Sequence, residues 1–131
     1  PSTWQFHLAF DLNKEPSVPA SLDLLKQAGL PFHHLPLHGI PPSRFAEGLI
    51  SSGLILNKNL KWVAFHGCYD FAYLLRLLRD EPLPKSSEEF YKSIHIYFPN
   101  IVDLKEALKN HPEFRETGLN SIASSIGVTF I

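Results

Sequence analysis

One cysteine, no methionine, no long apolar run and no excess of positive charge are the first facts of this chain of 131 residues. With Cys68 alone, no intrachain disulfide can form and a cysteine-based zinc site is excluded. A lone thiol fits a reducing, intracellular compartment. Apolar runs of only a few residues exclude a membrane-spanning helix and a secretory signal. Beginning at Pro1 and lacking Met, the sequence reads as one from which an upstream part has been removed. The net charge is −1 with the histidines neutral, and no Lys/Arg run stands out. That disfavours a protein coating nucleic acid through phosphate contacts alone. It leaves a nuclease open, because bound cations supply local positive charge themselves.

What is present suits a folded core. Hydrophobic residues make up 44% and charged residues 19%, and ten Phe with four Tyr supply bulk. The length suits one domain, residues 1–131, with no repeat and no low-complexity tract.

Trp4, Phe6, Leu8, Phe10 and Leu12 alternate with smaller or polar residues, which predicts a strand with one buried face. From Ser21 a short helix is expected, with Leu22, Leu25 and Ala28 on one face and Gly29 ending it. Four prolines and three histidines between Pro31 and Pro42 predict an irregular crossing. A helix with Phe45, Leu49 and Ile50 inward follows, closed by Gly53. The run Leu60 to Phe65 predicts an interior strand buried on both faces.

After His66-Gly67-Cys68, the spacing of Phe71, Leu74, Leu75 and Leu78 predicts the clearest helix in the chain, stopped by Pro82 and Pro84. The next helix, Ser87 to Phe98, gathers Phe90, Tyr91, Ile94, Tyr97 and Phe98 on one broad face, more suited to a core than to a cofactor. Ile101-Val102 is a short strand, and Asp103 with Glu106 forms a capping-box-like pair for the helix after it. A last helix carries Leu119, Ile122, Ala123 and Ile126 inward, and the terminal Val128 to Ile131 begins another strand. The order is that of an α/β domain with an incomplete sheet.

Few residues carry chemistry. Asp70 opens a helix just after a strand, where an acid is ordinarily a cap favoured by the helix dipole. Open α/β sheets also gather their ligands beyond the carboxyl ends of strands. Asp103 holds the same kind of position, and the capping pair accounts for it. His33, His34 and His38 have metal-ligand character, but the prolines around them oppose a helical ligand array, so a solvated loop is preferred over a zinc site. His66, four residues before Asp70, has the position of a general base or of a turn residue. Cys68 has no base partner that the sequence identifies. Tyr69, Phe71 and Tyr73 offer rings for stacking on bases. Phe71 belongs to the core stripe, so Tyr69 is the better candidate for such a stacking contact.

Three segments resemble one family: STWQFHLAFDL (2–12), RFAEGLISSGLIL with KWVAFHGCYDFAYLLRLL (44–78), and FYKSIHIYFPNIVDLK (90–105). With GLNSIASSIGV (118–128) behind them, they resemble the catalytic deadenylase subunit of the carbon-catabolite-repressor–Not complex over essentially the whole chain.

The resemblance implies a ribonuclease-H-like fold of the DEDD exonuclease class, a mixed sheet flanked by helices, of which residues 1–131 are the central portion. It implies removal of adenosines from mRNA 3′ ends, with two divalent ions, Mg2+ or Mn2+, held by four acids. Poly(A) RNA and the scaffold and nuclease subunits of the complex would be its partners, without a membrane, in cytoplasm and nucleus. Only Asp70 matches one of the four acids. The Asp-x-Glu pair of the first motif is expected before Pro1. The general-base His and the metal-binding Asp of the third are expected past Ile131, which makes His66 a turn residue near the site. The family's usual His-Ser-Gly-Tyr-Asp reads His66-Gly67-Cys68-Tyr69-Asp70 here, with the glycine moved. A truncated relative kept as a docking surface for other subunits is the alternative expectation.

Overall fold

The computed structural model describes residues 3–115 and 117–128, and the chain divides into two compact units, Pro1–Ser51 and Ser52–Ile131.

In the first unit the predicted strand over residues 4–12 does not form. Among the described residues its only ladder contact is a parallel bridge between Leu8 and Ile40, made by Ala9 N–H to Ile40 C=O and Ile40 N–H to His7 C=O, each 2.8 Å. Pro41 and Pro42 follow Ile40 directly and carry no N–H, so the pairing cannot propagate. Trp4, expected on the buried face, is 77% exposed.

Helix α1 (Pro19–Gln27) begins with proline at its first position, where the missing N–H is no loss. It buries no residue among those described: of the expected apolar face, Leu22 is half-buried and Leu25 exposed. The proline-rich crossing contains a single helical turn, α2 (Leu35–His38), which was not expected. Pro36 sits in its first turn, where proline is tolerated, and Leu35 is buried. Helix α3 (Pro42–Ser51) buries Ala46 and Leu49, while Ile50 faces out, one position off the expected face. Edge-to-face pairs Phe10–Phe32 (6.2 Å) and Phe6–Phe45 (5.2 Å) fill this unit.

The second unit is built on a parallel pair, β1 (Trp62–Ala64) and β2 (Ile101–Asp103). Parallel strands require a crossover, and α4 (Cys68–Arg79) with α5 (Ser87–Tyr97) provides it. Phe71, Leu75 and Leu78 of α4 are buried with Ile94 and Phe98 of the neighbouring helix and its cap. The rings of Trp62, Phe71 and Phe98 close into an edge-to-face triangle, 5.1 Å for each pair with Phe98 and 6.4 Å for the third.

The broad face expected on α5 is only half covered: Ile94 and Phe98 are buried, while Tyr91 is open. Ser86 caps α5 by accepting the Glu89 N–H, with Glu88 and Glu89 in the first turn complementing the dipole. Likewise β1 is not buried on both faces, since Val63 is 58% exposed. Asp80 ends α4 in the left-handed region, at φ 50°. After β2 come α6 (Leu104–Leu108) and α7 (Leu119–Ser125), the latter burying Ile122 and Ala123. The strand expected to start at Val128 falls mostly on residues 129–131, outside those described.

Phe98 is wholly buried at the centre of the aromatic triangle. Phe98→Ala is predicted to lower unfolding free energy by roughly 3–5 kcal/mol, read as a lower urea midpoint with an unchanged slope. A shift under about 1 kcal/mol would mean that the triangle does not organise this unit.

Candidate functional site

The parallel register pairs Ala64 with Asp103, so β1 and β2 end side by side. Beyond β1 the chain passes through Phe65, His66 and Gly67 into α4; beyond β2 it enters α6 at once, with Asp103 as the N-cap. One carboxylate joins the two exits. Asp103 Oδ1 accepts the N–H groups of His66 and Lys105, and Oδ2 accepts that of Gly67, all at 2.9 Å. The Lys105 bond is the helix cap that the sequence predicts. The other two cross 37 and 36 residues of sequence to the turn before α4.

That turn is demanding. His66 has φ 58°, a conformation a side chain adopts at a cost of order 1–3 kcal/mol unless its surroundings hold it. A Cβ on Gly67 would lie 2.5 Å from the Ala64 Cβ and 3.3 Å from the Phe71 ring. Glycine is therefore required there for space, although its φ of −82° is ordinary. The shift of glycine to position 67 has a steric meaning: the turn lies directly against β1 and the core ring of α4. Its two N–H groups each donate to a different oxygen of the Asp103 carboxylate, an anion well matched to such paired amides.

The charge at Asp103 responds to this. Partial burial pushes its carboxyl up, but the backbone N–H groups of His66, Gly67, Lys105 and Glu106 outweigh that and hold it below the ordinary carboxylate value. The expected reciprocal half of the capping box does not form. Glu106 instead pairs with Lys109 at 2.8 Å.

Asp70 stands in the first turn of α4, three residues past the Gly67 N-cap, and is exposed. No side chain caps this helix, so Asp70 does not play the capping part that its position also allowed. A hard carboxylate oxygen suits Mg2+ or Mn2+ chemistry. Among the described residues, however, no group of three or more His, Cys, Asp or Glu is placed to hold a metal ion. The described residues do not complete a shell around Asp70.

Tyr69 precedes it and is 74% exposed, as open as Tyr73 one turn on, whereas Phe71 is buried as expected of core. His66, Cys68, Phe90, Tyr91, His95 and Lys105 border an open cleft of about 400 Å³ against which Asp103 sits. Asp70 and Tyr69 are not in its lining. In the first unit His33, His34 and His38 do approach one another, with ring centroids 4.2 and 5.6 Å apart in sequence order. The single turn α2 brings them together.

This fold has counterparts among known proteins. Residues 43–128 match the family described as CAF1 family ribonuclease, and the chain belongs to that family. It is 42% identical over 126 residues to poly(A) ribonuclease pop2 of Schizosaccharomyces pombe, which covers 96% of this chain and 37% of that protein. It is 41% identical over 126 residues to probable CCR4-associated factor 1 homolog 7 of Arabidopsis thaliana, covering 95% and 46%.

Among solved structures it superposes on S. pombe Pop2p in its Mg2+- and Mn2+-bound form with TM-score 0.91 and 41% identity, over 98% of this chain and 50% of that one. A yeast CAF1 structure, co-crystallised with the NOT1 MIF4G domain, matches with TM-score 0.82 and 32% identity, over 100% and 50%. The family resemblance and the ribonuclease-H-like fold class hold. The chain spans less than half the length of these two curated relatives.

The depressed Asp103 carboxyl has a pH consequence of definite sign. Its contribution to stability is present above the unfolded-state value, about 3.9, and is lost as pH falls through the lower folded value. The urea-stability difference between the native protein and Asp103→Asn should therefore be full at neutral pH and shrink below about pH 4. A difference that stays constant down to the acid transition would contradict this. Gly67→Ala is predicted to destabilise by roughly 1–3 kcal/mol through overpacking against Ala64, measured by the same denaturation.

Proposed function

We propose that the protein is a 3′-to-5′ exoribonuclease that shortens the poly(A) tails of mRNA by hydrolysis with two divalent ions. Family membership carries the reading, supported by the 0.91 superposition on a relative described with Mg2+ and Mn2+ bound. Asp70 is the proposed ligand to one ion, at the start of α4 and beyond the carboxyl end of β1, where such sheets gather ligands. The ions, when bound, supply an activated water and neutralise charge on the phosphate and the leaving oxygen. Tyr69, exposed beside Asp70, is the proposed stacking surface for an adenine. Scaffold and nuclease subunits of the carbon-catabolite-repressor–Not complex are the proposed partners, the scaffold supported by a relative's co-crystal with the NOT1 MIF4G domain. Cytoplasm and nucleus are the proposed compartments.

Residues 1–131 are, on this reading, the central portion of a single exonuclease domain. One candidate ligand among the described residues also supports the second reading, a relative kept for docking rather than chemistry. The two separate in one assay on the full-length natural protein with 5′-labelled, A-tailed RNA in Mg2+. Stepwise loss of adenosines is predicted. Asp70→Ala should lower the rate by more than the roughly 10- to 100-fold that loss of a ligand's supporting partner costs. Well-folded, metal-loaded protein that leaves the tail intact would favour docking. Residues 1–131 alone are predicted to be inactive, and Asp70-dependent shortening by them would overturn that.

A further inference from the structure

We propose that Asp103 is the positioning residue for Asp70, holding the metal-ligand carboxylate in register through the turn before α4; this rests on the exoribonuclease reading of Asp70. Asp70 is exposed at the helix start, and no side-chain cap orders that end of α4. Its place is therefore inherited from where α4 begins. Two anchors set that beginning. One is Phe71, buried against Trp62 and Phe98, which holds the helix to the core. The other is the His66–Gly67 turn, from which Gly67 C=O starts the helix by accepting the Phe71 N–H at 2.9 Å.

Only Asp103 grips that turn by side chain among the described residues, with one oxygen on each N–H. An ordinary helix cap uses one bond, and the bond to Lys105 already serves α6. The two further bonds add nothing to the α6 cap. They tie the end of β2 to the residues that lead into Asp70 and oppose relaxation of His66 from φ 58°. Displacement of a reacting group by about 1 Å can cost on the order of 100-fold in rate. A carboxylate shared between two amides is the kind of support that prevents it.

Serine separates the two roles, because it can still cap α6 but cannot span both turn amides. The experiment uses the full-length natural protein and a 5′-labelled oligoadenylate in Mg2+, comparing native, Asp103→Ser, Asp70→Glu and the double variant. Amide hydrogen exchange is followed at His66 and Gly67 in the same samples. Asp103→Ser is expected to lose exchange protection at these two amides but keep it at Leu75. Its kcat should fall about 10- to 100-fold with KM within about twofold. In the Asp70→Glu background the same change should cost about twofold or less, because the ligand it positions is already displaced.

Native kcat despite deprotected amides would overturn the proposal, as would an undiminished loss in the Asp70→Glu background. If Asp103→Ser does not fold, Asp103→Asn, which retains one acceptor oxygen, is judged by the same criteria. An inactive native protein would instead refute the exoribonuclease reading, and the positioning role with it, while exchange at His66 and Gly67 still reports whether the clamp exists.

Discussion

A single carboxylate at the end of β2 holds together the part of this molecule in which its chemistry is expected. Parallel pairing of β1 and β2 delivers two chain exits to the same edge, and each exit becomes a helix with unpaired N–H groups at its start. Asp103 caps α6 through the Lys105 N–H and grips the turn that precedes α4 through the His66 and Gly67 N–H groups. Without an anion there, two amides would converge on nothing, and a non-glycine residue would have little reason to hold a left-handed backbone. The helix that carries Asp70 thus begins where a residue far along the chain places it.

The helices of the second unit were readable because apolar spacing and breakers agreed there. Phe71, Leu75 and Leu78 fell on the face that is buried, and the proline-bounded stretch ended where expected. Residues 4–12 misled for the opposite reason. Alternation predicts a strand only if a partner offers N–H groups along its length, and Pro41 and Pro42 remove them beside Ile40. The turn α2 was missed because proline was weighed as a breaker, although Pro36 lies in the first turn where it breaks nothing.

The candidate residues could be named from the sequence, and their connections could not. Asp70 stood out only through resemblance, since acids at helix starts are commonplace. Asp103 was read as a cap, which it is. Its larger part depends on Ala64 lying opposite it, a register between segments 39 positions apart that no local pattern encodes. The glycine at position 67 had a readable signal, a shift from the family's usual order. Its meaning, contact with Ala64 and Phe71, needed the fold.

The most direct test of this account is detection of the clamp itself by nuclear magnetic resonance, through scalar couplings transmitted across hydrogen bonds. Magnetisation from the backbone nitrogens of His66 and Gly67 should reach the side-chain carboxyl carbon of Asp103, with a third correlation from Lys105. All three cross-peaks together are the predicted result. A correlation from Lys105 alone would reduce Asp103 to an ordinary helix cap and leave the placement of Asp70 to other forces.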